Sequence, residues 1–467
     1  MEKYLPPINR SCLIERIPLW RPVEEVFSYF AERPYTSLLH SSLRTDAGRY
    51  SFLGIDPFLV MRSKGRKITV ETGRKTRIGE GDVFECLKRI LNTYRVDNPT
   101  SFPLISGGMG YFSYDLKDLI EDLPRRAVDD LALPESCFCF FRTILIHDRK
   151  DPGCIHISIT SDGGETRQLL ENYKAIMNGT RKEGSTLIDS SKAFPGLCAD
   201  ISRKDYLKKV EKVLDYIRAG DIYQACLSQR FTARWPLGGY SLYQRLNRKN
   251  PAPFSAYLNL PEAKVLSSSP ERFLRVADGQ VETRPMKGTR SRGSCEASDR
   301  KMREDLVNSS KDAAELAMIV DLERNDLGKV CVPGSIRVTE HRRVETYPTV
   351  FQTISVVRGL LAKDTSLGQI VKASFPGGSI SGCPKVRAME IIDELEPTAR
   401  SVYTGSIGYM SFHGTMDLNM AIRTMLLKQG RVYFQTGGGI VADSDPEEEY
   451  EETLHKARAM MEIFGKQ

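Results

Sequence analysis

No stretch of the 467 residues approaches the ~18 consecutive apolar residues that a membrane-spanning helix requires, which disfavours a helical membrane protein. The opening residues, Met1 to Ser11, carry no apolar core of the kind a secretory signal needs, so export is not expected. Histidine is scarce at six residues without metal-ligand spacing, and no Gly-x-Ser-x-Gly elbow occurs. Zinc and serine hydrolases are therefore unsupported. The ten cysteines are scattered, and the close pair Cys137/Cys139 lacks the two-residue spacing of a zinc knuckle or thioredoxin motif. We expect them to be reduced, in a cytoplasmic protein. Lys and Arg exceed Asp and Glu by only seven, 67 against 60, too little for the basic signature of a nucleic-acid binder. Repeats and low-complexity tracts are missing as well, which excludes solenoids and propellers.

What remains has an ordinary globular composition, 40% hydrophobic and 27% charged, long enough for two core-forming units or one large α/β body. Residues 1–180 alternate short apolar runs with turn signals, and the β-branched and aromatic content of 36–39, 50–55, 68–70, 137–147 and 154–159 predicts strands. A Gly-, Ser-, Lys- and Asp-rich stretch without periodicity, 181–201, reads as a linker. Beyond it, in 202–467, Ser202 and Asp205 open a helix striped by Leu207, Val210, Leu214 and Ile217 and closed at Gly220. Strands are expected at 265–268 and 432–435. A second helix begins near Pro384 and is stopped by Pro397. The last has Asp445 as N-cap, Pro446 at its first position and acids Glu447 to Glu449 in its first turn.

Several constellations have chemical potential. Asp312/Glu315 and Glu449/Glu452 each have i,i+3 spacing, so each pair shares a helix face. Facing each other, the pairs would make an all-oxygen site suited to Mg²⁺; the plainer alternative is that they complement helix dipoles. Lys456 lies one turn after Glu452. Lys287 stands between Pro285 and Gly288 with Arg284 and Arg290 nearby, cationic company that lowers a lysine pKa and frees a nucleophilic amine. A solvated basic loop is the alternative. Glu271 follows a strand, where a carboxyl can serve as general acid or base. The glycine-rich runs 377–382 and 437–439 match neither a P-loop nor a dinucleotide fingerprint, but could offer backbone N–H groups to a carboxylate as a nest does; simple turns are equally consistent. Arg423 lies in an apolar, strand-like run, where its guanidinium needs either a substrate carboxylate or an internal salt bridge.

Together the motifs Ser269-Pro270-Glu271-Arg272-Phe273, Arg284-Pro285-Met286-Lys287-Gly288-Thr289, Asp321-Leu322-Glu323-Arg324-Asn325-Asp326, Pro376-Gly377-Gly378-Ser379-Ile380-Ser381-Gly382 and Gly437-Gly438-Gly439 follow the order found in chorismate-utilising enzymes. The chain resembles the aminodeoxychorismate synthase branch of that family, strongly over 202–462 and more weakly at 38–41 and 48–52. The resemblance implies a large multilayer α/β sandwich of two interleaved halves. Anthranilate synthases have a small residue, usually alanine, in the place of Lys287, and isochorismate and salicylate synthases have a water-activating lysine in the place of Gln224.

By the same resemblance, Lys287 would attack C2 of chorismate, Glu271 would protonate the departing C4 hydroxyl, and ammonia would enter at C4. Mg²⁺ would be held by Glu315 and Glu452, with Asp312 and Glu449 alongside. Arg423, Tyr403 and the amides of Gly437, Gly438 and Gly439 match positions at the enolpyruvyl end, and Lys456 and Thr289 match others in the pocket. Some members bind tryptophan structurally, and Ser41, Arg49, Tyr50, Ser51, Phe52, Pro253, Phe254 and Ser255 match that pocket. Departures exist: Gln352 stands where many relatives have histidine, His40 where feedback-inhibited anthranilate synthases have glutamate, and Met286 and Ser381 replace the commoner isoleucine and threonine. No Gly-x-Cys-x-Gly glutaminase nucleophile is present, so a separate glutamine amidotransferase subunit would supply ammonia. A separate lyase would complete p-aminobenzoate for folate synthesis. The alternatives are anthranilate synthase component I and a non-catalytic chorismate or amino-acid sensor.

Overall fold

The computed structural model describes residues 12–43, 45–73, 75–160, 166–178, 196–347 and 350–465. Period-2 alternation of apolar side chains builds its two sheets, each of twelve strands. In the first, neighbouring residues fall into opposite cores: Leu266, Met425 and Tyr257 pack on the outer face with helices Val23–Ala31, Gly239–Lys249 and Pro446–Met461, whereas Val265, Leu426, Ala256 and Leu258 point toward the second sheet. Strands of the second sheet, such as Gly107–Phe112 and Ser136–Phe141, are buried at every residue because both faces are covered. Helices Val83–Thr93, Leu367–Ser374 and Ser310–Gly328 belong to that same core.

Both sheets run across the two sequence halves. Ser37–His40 pairs antiparallel with Phe254–Asn259, Ser255 opposite His40. Likewise, Gly107–Phe112 pairs with Ser406–Ser411. The halves are thus interleaved in one α/β sandwich. Of the expected linker, 181–195 lies outside the described residues, and Cys198–Ala199 is a short strand paired with Phe231 and Thr232 rather than a free connection. The run 137–147 is two strands, not one. Ser136–Phe141 belongs to the second sheet and Thr143–Asp148 to the first, the chain crossing between them at Arg142.

The helices start where their caps dictate. Ser202 accepts from the Asp205 amide at the head of Arg203–Arg218, with Tyr206, Val210, Val213 and Leu214 buried. Asp445 accepts from the amides of Glu447 and Glu448 at the head of Pro446–Met461. None of the ten cysteines is in a disulfide. Among the described residues, no helix is long and apolar enough to cross a membrane.

Candidate active site

One cavity of about 1080 Å³ gathers Glu271, Lys287, Thr289, Asp312, Glu315, Tyr403, Arg423, Gly437, Gly438, Gly439, Glu449, Glu452 and Lys456. Its floor is the pair of first-sheet strands Gln224–Arg234 and Arg431–Ile440, with Ser228, Leu227 and Cys226 opposite Gly437, Gly438 and Gly439. The three glycines are therefore ladder residues and not a nest, a correction to the turn or nest reading of this run. Their use is steric. A Cβ on Gly438 would come within 2.8 Å of Glu449 Oε2. One on Gly439 would collide with Gln224 Nε2 and lie 3.3 Å from Lys287 Nζ. Gly439→Ala is expected to lower kcat by at least about tenfold by displacing those groups, with the unfolding midpoint measured alongside to show that the fold persists.

The opposite wall is the second-sheet strand Met286–Ser291, which is not a solvated loop. Gly288, at φ +72°, is skipped in its pairing with Val350–Leu360, so Lys287 faces Thr353 and Thr289 faces Gln352. This bulge re-aims the flanking side chains. A larger residue at 288 would also strike Leu306 and Asp312. The expected arginine environment of the lysine is not found. Arg290 Nη2 is 2.9 Å from Asp312 Oδ2, and Arg284 is bound by its near neighbour Glu282 and by Asp46; Asp312 and Asp46, distant in sequence, fold onto the guanidinium groups. Acids surround the amine instead. Lys287 Nζ is 3.9 Å from Glu315 Oε2. Burial opposes its charge, but Cys226, Glu315, Glu271 and Glu452 outweigh it and raise the ammonium above an ordinary lysine.

Glu271 is buried between Lys264–Ser269 and Arg272–Ala277, and its Oε1 accepts from Ser379 Oγ at 2.8 Å. Burial pushes this carboxyl up to about 7 against the Ser379 hydrogen bond and Lys287. A carboxyl titrating near neutrality is suited to donate a proton and recover it. Gly378–Ile380 is a 3₁₀ turn. Its Gly378 amide donates to Glu323 Oε1 at 3.0 Å, so of the two readings left open for 377–382 the turn is what forms, with one amide given to an internal carboxylate.

Helix Ser310–Gly328 brings Asp312 and Glu315 to one side of the cavity, and helix Pro446–Met461 brings Glu449 and Glu452 to the other. Asp312 is neutralised by Arg290. Ser444 Oγ donates to Glu449 Oε1 at 2.6 Å, yet burial, with the charge of Glu452 adding to it, raises the Glu449 carboxyl. Among the described residues, no three His, Cys, Asp or Glu stand close enough together to hold a metal. Glu315, Glu449 and Glu452 nevertheless line the same cavity, an oxygen-only donor set of the kind a hard cation takes. Lys456 is 2.5 Å from Glu452 Oε1 and donates to Gly437 O at 3.0 Å.

Arg423 lies in the connection before Thr424–Lys428, not in a strand, at φ +50°. Its Nη1 donates to Asn250 Oδ1 at 3.2 Å, and among the described residues no carboxylate lies within ion-pair distance. Burial lowers its pKa. The internal salt bridge left open by the sequence is thus not made, and an anion is wanted from the cavity. Gln224 is fully buried and, among the described residues, both its amide atoms lack partners, while Gln352 donates to Thr289 Oγ1 at 3.2 Å and its Oε1 has none among them.

Sequence reasoning missed Arg400 and Glu396, a buried ion pair at 2.7 Å. Arg400 donates to Cys226 O and Ile380 O, and Glu396 receives the Ser228 amide, so the pair fastens floor and 3₁₀ turn together. Pro397 between them hides their i,i+4 relation from a helical reading.

A second cavity, about 70 Å³, is lined by Ser41, Tyr50, Phe52, Pro253, Phe254 and Ser255 together with His40 and Asp417. Arg49 and Ser51 do not line it: Arg49 clasps Asp148 at 2.6 Å, and Ser51 Oγ accepts from the Ser41 amide. A cavity of roughly 150 Å³ holds a benzene, and this one is smaller than that, so an indole would need more room than the walls leave here. His40 Nδ1 is 3.0 Å from Tyr243 Oη.

Comparison with known proteins accords with this geometry. The family described as chorismate binding enzyme matches residues 41–462. The aminodeoxychorismate synthase component 1 of Salmonella typhimurium is 39% identical over 450 residues, covering 95% of this chain and 96% of its own. Anthranilate synthase component 1 of Acetivibrio thermocellus is 37% identical over 429 residues, covering 89% and 87%. The crystal structure of anthranilate synthase component I from Streptococcus pneumoniae superposes with a TM-score of 0.79 at 30% identity, covering 90% of this chain and 93% of that one.

Proposed function

The chain belongs to the chorismate-binding enzyme family, and from that membership we propose that it aminates chorismate at C4 with ammonia, giving 4-amino-4-deoxychorismate for p-aminobenzoate and folate synthesis. The observation that carries this reading is the amine of Lys287, set in the cavity beside Glu315 and close to Gly439, where the resemblance implies that anthranilate synthases have no amine. Deprotonated, Lys287 Nζ bonds to C2 of chorismate while the ring electrons shift and the C4–O bond breaks. Glu271 gives its proton to that hydroxyl, which leaves as water. Ammonia then bonds to C4, the C2–N bond breaks to release lysine as its neutral amine, and the extra proton on the new C4 nitrogen returns to the Glu271 carboxylate. Two allylic steps replace one hard displacement.

Arg423, whose guanidinium has no carboxylate partner among the described residues, and Tyr403 receive the enolpyruvyl carboxylate; a bidentate fork there fixes the ring. Thr289 and Lys456 complete the polar lining. Mg²⁺ would be held by Glu315 and Glu452, with Glu449 and the Arg290-paired Asp312 alongside. When bound, it would offset the carboxylate field and neutralise the ring carboxylate of the substrate. The designation of the relatives as component 1 supports a partner subunit, which in this reading is a glutamine amidotransferase delivering ammonia in a heterodimer, with a separate lyase acting on the product.

Purified chain incubated with chorismate, Mg²⁺ and ammonium is expected to give 4-amino-4-deoxychorismate by mass, converted to p-aminobenzoate only when the lyase is added. Anthranilate with pyruvate would instead assign the anthranilate synthase reaction, which the 37% identical relative keeps as the rival. Unchanged chorismate, even with the glutaminase subunit added, would favour a sensor.

A further inference from the structure

Behind the proposed general acid lies a second carboxyl that the mechanism above does not use. Glu323, 2% exposed, projects from helix Ser310–Gly328 toward the 3₁₀ turn Gly378–Ile380. Its Oε1 accepts from the Gly378 amide at 3.0 Å, and among the described residues its Oε2 has no hydrogen-bond partner. Ser379, the next residue of that turn, donates its hydroxyl to Glu271 Oε1 at 2.8 Å. A Cβ at 378 would meet Leu322 at 2.6 Å and Glu323 Oε1 at 3.2 Å, so turn and helix are pressed together without slack. The chain of contact Glu323, Gly378, Ser379, Glu271 is continuous.

We propose that Glu323 is the positioning residue of the general acid: it anchors the turn that aims Ser379 at Glu271, and its carboxyl keeps the Glu271 proton from being lost to solvent between turnovers. The inference rests on the reading of Glu271 as proton donor. It is supported by the electrostatics. Burial raises the carboxyl of Glu323 to about 7, as it does that of Glu271, and Glu323 adds to the rise at Glu271. The groups facing Glu323 are Lys385 at the start of helix Lys385–Leu395, Asp326 from its own helix, the Thr283 hydroxyl and the Gly378 amide. Lys385 is held by an ion pair with Asp326, which leaves Glu323 short of a dedicated cation. Those facing Glu271 are Ser379, Lys287 and Glu323.

Because the acid must be protonated to act, activity falls as pH rises through its pKa, and anything that lowers that pKa moves the alkaline limb of kcat to lower pH. Glu323→Gln keeps an acceptor for the Gly378 amide but removes the charge; its alkaline limb is expected to move down by about half a unit to one unit, with turnover at pH 6 within about threefold of the parent. Glu323→Ala, which releases the turn, is expected to lower kcat about tenfold or more with KM unchanged. Infrared titration gives a readout independent of turnover: the carboxyl band that Glu271→Gln removes should titrate at lower pH in Glu323→Gln than in the parent. Superimposable pH profiles and titrations in parent and Glu323→Gln overturn the inference, even if Glu323→Ala fails to fold. Full activity in Glu271→Gln instead removes the general acid, and the inference with it. Impaired Glu271→Gln beside an unchanged Glu323→Gln overturns the positioning role alone.

Discussion

Lys287→Ala is expected to abolish C4 amination, lowering kcat by at least about 10³-fold, because the nucleophile of the proposed first step is gone and Lys456, an amine of the same cavity, is held by Glu452. The neighbouring arginines cannot substitute, since Arg284 and Arg290 are tied to Glu282, Asp46 and Asp312. Binding should survive: Arg423, Tyr403 and Thr289 line the cavity independently of the lysine. The informative measurement is the mass of the acid-quenched protein after mixing with chorismate and Mg²⁺ without ammonium. Parent chain should carry an adduct of chorismate less water, Lys287→Ala should carry none, and added ammonium should discharge the adduct as free product. Full activity in Lys287→Ala would exclude the covalent route while leaving the enzyme class intact. The raised affinity of Lys287 for its proton sharpens the requirement, because the acids that hold the ammonium must be offset before the amine can attack.

The parts of this architecture that local chemistry decides were legible beforehand. Caps at Ser202 and Asp445, and Pro446 at a first helical position, mark helix starts within a residue, and i,i+3 spacing correctly puts each acidic pair on one face. What sequence could not show depends on partners far along the chain. The run 137–147 is broken only at Arg142-Thr143, which does not show that Ser136–Phe141 and Thr143–Asp148, each buried throughout, lie in different sheets. Glycines 437–439 lack side chains to signal a strand, yet their ladder with Cys226, Leu227 and Ser228 makes them one. The charge around Lys287 was misjudged for the same reason: Asp46 and Asp312 capture the arginines from positions 238 and 22 residues away. Glu323 had no signal of its own, since only folding brings Gly378 to it.

Arg423→Met is expected to do two opposed things, weakening chorismate binding by about 30-fold or more and stabilising the ligand-free chain by about 1 kcal/mol or more. In the free protein the guanidinium is mostly enclosed, makes one hydrogen bond to Asn250, and has no carboxylate partner among the described residues. Burial holds its pKa down against the smaller opposing influence of Tyr347, so the fold carries an uncompensated charge, on a residue whose backbone is also held at φ +50°. Strain and unpaired charge of this kind collect where a ligand completes the site. Methionine fills similar volume without the charge, which predicts a higher unfolding midpoint by calorimetry together with a raised KM for chorismate. Arg423→Lys separates charge from geometry: it keeps a cation but loses the planar fork, and should lie between parent and Arg423→Met in affinity. A lower midpoint in Arg423→Met would mean that the guanidinium is structural, and an unchanged KM would place the enolpyruvyl carboxylate elsewhere in the cavity. The combination of greater stability with lost affinity has one physical origin: the energy that the empty chain forgoes at Arg423 is recovered when a substrate carboxylate docks there.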